Sequence, residues 1–108
     1  MAGQYVRILD TRALSSNLSC PDNNVVDLGA YRVVVVDCRL AALGTGGNLI
    51  IETSSVKEDG TWRTALSIPL NANPNLLEIT LFARFIRWRT DGAVAGNPVA
   101  TVDLVAKE

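Results

Sequence analysis

The chain has 108 residues, with 10 Lys+Arg against 11 Asp+Glu and a formal net charge of -1. That length, with a hydrophobic share of 48%, predicts one domain over residues 1–108, with a core that needs neither a metal nor a disulfide framework. The balanced charge offers no basic surplus for phosphates, so nucleic acid is not an expected partner, and a serine or cysteine nucleophile would have no histidine as general base, only Lys57 in a turn or Lys107 near the C-terminus.

The first predicted strand covers residues 4–11, with Tyr5, Arg7 and Leu9 on one face and Val6, Ile8 and Asp10 on the other. A turn-rich stretch follows over 15–24, then a short strand over 25–28. Gly29 and Ala30 lead into residues 31–40, whose unbroken valines predict a central strand buried on both faces. The glycine-rich residues 43–48 read as a flexible connection to a strand over 49–54. Asp59-Gly60 signals a tight turn before residues 61–68, which alternate with Trp62, Thr64, Leu66 and Ile68 on one face. Residues 71–75 break the chain, and 76–81 fit either a strand or one helical turn. Strands over 82–90 and 99–106 are expected to form a hairpin across a mobile loop, 91–98.

About seven or eight short strands with turn signals between them, and no amphipathic helix, predict an all-β fold: an antiparallel β-sandwich or jelly roll. Parallel α/β architecture is excluded for want of crossover helices.

The densest local signal is residues 82–92, where aromatic and arginine residues alternate before a turn. Parity puts Phe85, Arg87 and Arg89 on one face and Arg84, Ile86, Trp88 and Thr90 on the other. Ile86 and Trp88 are expected in the core. Phe85, Arg87 and Arg89, joined by Tyr5 and Arg7 of the first strand, are the candidate interface, because aromatics and arginine dominate interaction hot spots. The cation choice agrees: Arg7, Arg12, Arg32, Arg39, Arg63, Arg84, Arg87 and Arg89 stand against only Lys57 and Lys107, and arginine suits protein–protein contacts better than lysine.

Other constellations carry less. Glu58 and Asp59, with Glu52 nearby, form the densest acidic group, but Asp59-Gly60 is better read as a turn than as a calcium loop. Gly44-Thr-Gly-Gly47 lacks the lysine and helix onset of a phosphate loop. Cys20 and Cys38 have no CxxC spacing, so no zinc or thioredoxin-type motif arises and reduced thiols are expected. No catalytic, metal or cofactor residue is predicted. The first seven residues lack the apolar core of a signal peptide, and no apolar stretch is long enough for a membrane span. The expectation is a chain made in a bacterial cytoplasm, with no membrane partner.

Asp27-Leu-Gly-Ala-Tyr31 opening a valine-rich strand, Glu58-Asp-Gly-Thr-Trp62 opening another, and Phe82-Ala-Arg-Phe-Ile-Arg-Trp88 ahead of the last strand resemble small β-sandwich structural proteins of tailed-bacteriophage virions and phage-like particles. The resemblance implies a non-enzymatic virion protein, such as a capsid decoration or minor head or tail component, that contacts itself as a homo-oligomer or a capsid or tail protein. Residues 83–87 with the final strand are also similar to discoidin-like, galactose-binding-like jelly rolls, though the cysteines that bracket those domains are absent. That likeness implies the alternative of a carbohydrate-binding module, with Trp62 and Tyr31 as the aromatics that would stack on a glycan.

Overall fold

The computed structural model describes residues 3–20, 25–29, 31–74, 76–80 and 82–107. Eight strands form: β1 (Gly3–Ala13), β2 (Val26–Asp27), β3 (Val33–Ala42), β4 (Asn48–Ser54), β5 (Arg63–Pro69), β6 (Leu77–Ile79), β7 (Phe85–Thr90) and β8 (Val99–Lys107). They build a β-sandwich of two four-stranded antiparallel sheets, ordered β1-β8-β3-β6 and β2-β7-β4-β5. No helix occurs among the described residues.

The pairs nest: β1 with β8, β2 with β7, β3 with β6, and β4 with β5. Among the described strands, only β4 and β5 are consecutive and paired in one sheet; each other consecutive pair is divided between the two sheets. Gly60 takes φ 83° at the β4–β5 turn, as an Asp-Gly turn requires.

Strand alternation places the core. From the first sheet come Leu9, Val34, Val36, Cys38, Ile79, Ala100, Val102, Leu104 and Ala106, and from the second Val26, Leu49, Ile51, Ile68, Ile86 and Trp88, all in one buried cluster. Each fully buried Val, Leu or Ile contributes about 1.5–3 kcal/mol relative to exposure. That burial drives the two sheets together and commits their other faces to solvent.

Several expectations need correction. β3 is central between β8 and β6, but its valines alternate: Val34 and Val36 are fully buried, whereas Val33 and Val35 point outward and are partly exposed. The chain buries this strand on one face, not two. In β1 a bulge between Arg7 and Leu9 breaks parity, so Leu9 faces Val102 in the core while Tyr5 and Arg7 stay outside. In β5 a bulge between Leu66 and Thr64 does the same, so Leu66 lies opposite Ile51 but Thr64 lies opposite Glu52, on the outer face. Residues 82–90 and 99–106 are not a hairpin: β7 and β8 lie in different sheets. Arg84 does not share the inner face with Trp88; it precedes β7 and is exposed. The undecided segment 76–81 contains the strand β6.

The loops read as flexible and mobile are pinned to one another. Gly44 N–H donates to Leu70 O at 2.7 Å and Thr45 N–H to Ala95 O at 2.9 Å. Gly47 has φ 87°, and a Cβ there would sit 2.4 Å from Val94 Cα, so only glycine fits where these loops cross. Within the turn-rich stretch 15–24, residues 21–24 lie outside the described set, as do Ala30, Asn75 and Leu81 of the other expected segments.

Candidate functional site

With both inner faces consumed by the core, the outer faces hold the candidate residues. The structure divides them. Phe85, Arg87 and Arg89 lie on the outer face of the second sheet, and Tyr5 and Arg7 on that of the first, so the five are not one surface.

On the second sheet, β4 and β7 set Glu52 directly opposite Arg87. The Glu52 carboxylate is almost wholly covered; Arg87 Nε donates to Oε1 at 2.9 Å and Arg89 Nε to Oε2 at 3.0 Å. Arg87 also stacks on Trp62, 4.2 Å from the ring centroid, while Arg84 and Lys57 lie 4.9 and 5.4 Å from the Phe85 ring. The arginines predicted to reach outward are therefore held by an acid and an aromatic of their own chain.

The first sheet repeats this device. Asp103 is 3% exposed although it points to the outer face. Arg7 grips it from β1 with Nε to Oδ1 at 2.7 Å and Nη2 to Oδ2 at 3.2 Å, and Arg39 from β3 with Nη2 to Oδ2 at 2.6 Å. Arg39 Nη1 also reaches Asp37 at 2.9 Å. Hydrogen bonding from Arg7 foremost, then from Tyr5 and Arg39, outweighs desolvation and holds the Asp103 carboxyl down at about 2. The same bond raises Arg7 well above its ordinary value.

Beside this ionic row runs an apolar one. Tyr5, Val105 and Val35 are directly opposite one another across three strands, with Val33 two residues along β3. Tyr5 is 59% exposed, and Val33, Val35 and Val105 do not pack on the core. An antiparallel sheet that faces water ordinarily carries polar residues there.

Sequence reasoning missed Glu52 and Asp103 as the organising groups. The usable signal was a lone acid inside an otherwise apolar strand, a disfavoured placement unless a cross-strand cation answers it.

The two predicted ligand aromatics also lie apart. Trp62 lines a hollow of about 240 Å³ with Val25, Lys57, Asp59 and Arg87. Tyr31, partly packed on the core, lines a wide, open hollow of about 580 Å³ with Gln4, Asp27, Gly29 and Arg84. There Asp27 accepts from Arg84 at 3.1 and 2.9 Å and from Gly29 N–H at 3.0 Å. The Arg84 bond above all lowers Asp27 and raises Arg84. Each ion thus already satisfies the other.

Among the described residues no group of three His, Cys, Asp or Glu side chains is placed to hold a metal, and no helix is long and apolar enough to cross a membrane. No protein family, no curated protein and no solved structure matches the chain.

Proposed function

We propose that this chain is a non-enzymatic assembly module acting through protein–protein contacts: a structural component of a phage virion or phage-like particle, such as a capsid decoration or minor head or tail protein. The observation that carries the reading is the apolar row Tyr5–Val105–Val35, continued by Val33, on the outer face of the first sheet, where Tyr5 is exposed and the valines are partly exposed without packing on the core. Apolar side chains on the outer face of β1, β8 and β3 have no role in the core of the chain itself. They are the residues a docked partner would cover. The nested pairing β1/β8, β2/β7, β3/β6 and β4/β5 supports reading the sandwich as a jelly roll, a fold common among capsid domains. The resemblance of its strand openings to virion β-sandwiches supports the same setting.

The test is to image native particles at subunit resolution with wild type and with Val35→Asp, which charges the middle of the face without touching the core. Wild-type subunits should appear with the β1-β8-β3 face covered, and the variant should be lost from particles while keeping its β-sheet circular dichroism. Particles that lack the chain, or subunits whose first-sheet face is bare, would overturn the reading.

The carbohydrate-binding alternative has Trp62 and Tyr31 beside hollows. The Trp62 hollow falls below the roughly 300–1,000 Å³ of common ligand sites, and Arg87 already stacks on the Trp62 ring. A glycan-array signal abolished by Trp62→Ala or Tyr31→Ala would favour this alternative over assembly.

A further inference from the structure

The assembly reading leaves the partner open, and the pattern of rows on the first sheet narrows it. In register, β1, β8 and β3 present Tyr5, Val105 and Val35 in one row and Arg7, Asp103 and Asp37 in the next. β8 is thus the midline: β1 puts an aromatic and a cation on one side, and β3 puts a valine and an anion on the other. We propose that this face is a two-fold interface between two copies of the chain, with the axis lying along β8 in the plane of the face. The inference rests on the assembly reading above.

A two-fold along β8 exchanges the β1 and β3 sides. Tyr5 of one copy then covers Val35 of the second, Arg7 meets Asp37 of the second, and Val105 meets its own counterpart. A two-fold across the strands would lay the apolar row on the ionic one if placed between the rows, and would set Arg7 against Gly3 and Asp37 against Val33 if placed along the apolar row. Only the axis along β8 matches apolar with apolar and cation with anion. Asp103, which would face its own counterpart, is recessed and already bridged by Arg7 and Arg39. Each copy's ionic row, Arg7, Asp103, Arg39 and Asp37, sums to zero charge, so no like-charge barrier opposes approach.

The patch is small: the three strands β1, β8 and β3, spaced about 4.8 Å apart with nine residues rising about 3.3 Å each, make a face on the order of 430 Å², below what one partner gives a standard interface, so the dimer is a weak one that forms as concentration rises. The dimer also explains β3. Its valine run reads as doubly buried, and a second copy supplies the cover that the single chain withholds from Val33 and Val35.

The test combines sedimentation equilibrium with charge exchange. Wild type should move from monomer toward twice the monomer mass as concentration rises. Asp37→Arg alone sets Arg against Arg7 of the second copy, and Arg7→Asp alone sets Asp against Asp37; each should sediment as a monomer. An equimolar mixture of the two variants restores both pairs and should dimerise again.

Because Arg7→Asp also disturbs Asp103, a second readout stands apart from it. Val105→Cys, on the axis, should form an intersubunit disulfide under mild oxidation. Ser67→Cys, exposed on the opposite sheet, should not. A wild type that stays monomeric at all concentrations, with no excess of Val105→Cys cross-linking over Ser67→Cys, overturns the dimer. A monomer that still enters particles leaves the assembly reading standing while removing the dimer; a dimer that enters no particle does the reverse.

Discussion

Replacing Asp103 with Asn removes the charge that holds three strands' side chains together on the first sheet. A carboxyl drawn from 3.8 to about 2 corresponds to about 2 kcal/mol of linked stability. Its partners Arg7 and Arg39 are 42% and 53% exposed, and solvent screening at such cations cuts the contribution to roughly 1 kcal/mol. For a chain of this size that is a fall of about 4–8 °C in Tm.

The pH dependence has a definite sign. The folded value lies below the unfolded one, so the stabilisation is complete above the unfolded value of 3.8 and disappears as pH falls through about 2. Urea titrations of wild type and Asp103→Asn, followed by far-ultraviolet circular dichroism across this range, should show a gap that is constant at neutral pH and closes in strong acid. Equal stability at neutral pH, or a gap that does not change with pH, would refute the assignment of that stabilisation to the ionised carboxylate.

Three further outcomes follow from the same geometry. Glu52→Ala should destabilise more than Arg89→Ala, because it releases Arg87 and Arg89 together, and a double-mutant cycle between positions 52 and 89 should give a coupling of about 0.5–1 kcal/mol. Gly60→Ala and Gly47→Ala both place a side chain at positive φ, but the added Cβ meets open space at Gly60 and the Val94 backbone at Gly47; calorimetry should show a loss of about 1–2 kcal/mol for the first and a larger loss or no folded protein for the second. Burial pushes the Cys38 thiol up to about 11. Cys38 should therefore resist a thiol-reactive disulfide reagent at neutral pH in the folded protein and react at once after denaturation, as a Cys20→Ser background would show by absorbance.

Strand identity was legible wherever residues alternate without interruption. Phe85 to Thr90 is the clear case: Ile86 and Trp88 go to the core and Phe85, Arg87 and Arg89 face out, as parity alone predicts. Parity failed at β1 and β5, where a bulged residue switches the face of those that follow, and in β1 a second irregularity between Leu9 and Arg12 switches it again. A bulge is a choice between two registers of similar local energy, settled by what lies on the partner strand. Pairing was equally hidden. The segment 91–98 carries turn residues suited to a hairpin, yet it crosses between sheets, because β7 finds β2 and β4 as neighbours and β8 finds β1 and β3.

The arginine-aromatic strand shows where local chemistry ends and tertiary structure begins. Spacing decided that Arg87 and Arg89 share an outward face, since side-chain direction in a strand has a period of two. Whether those guanidiniums are spare or satisfied depended on a residue 35 positions away from Arg87, Glu52, and for Arg7 on Asp103, 96 positions away. Such partners meet only when the sheets are assembled. The chain's alternation thus determined that it would form a two-layer β fold with a valine-rich centre. The assembled sheets decided which valines face outward, because only β8's place between β1 and β3 sets Tyr5, Val105 and Val35 in one outward-facing row.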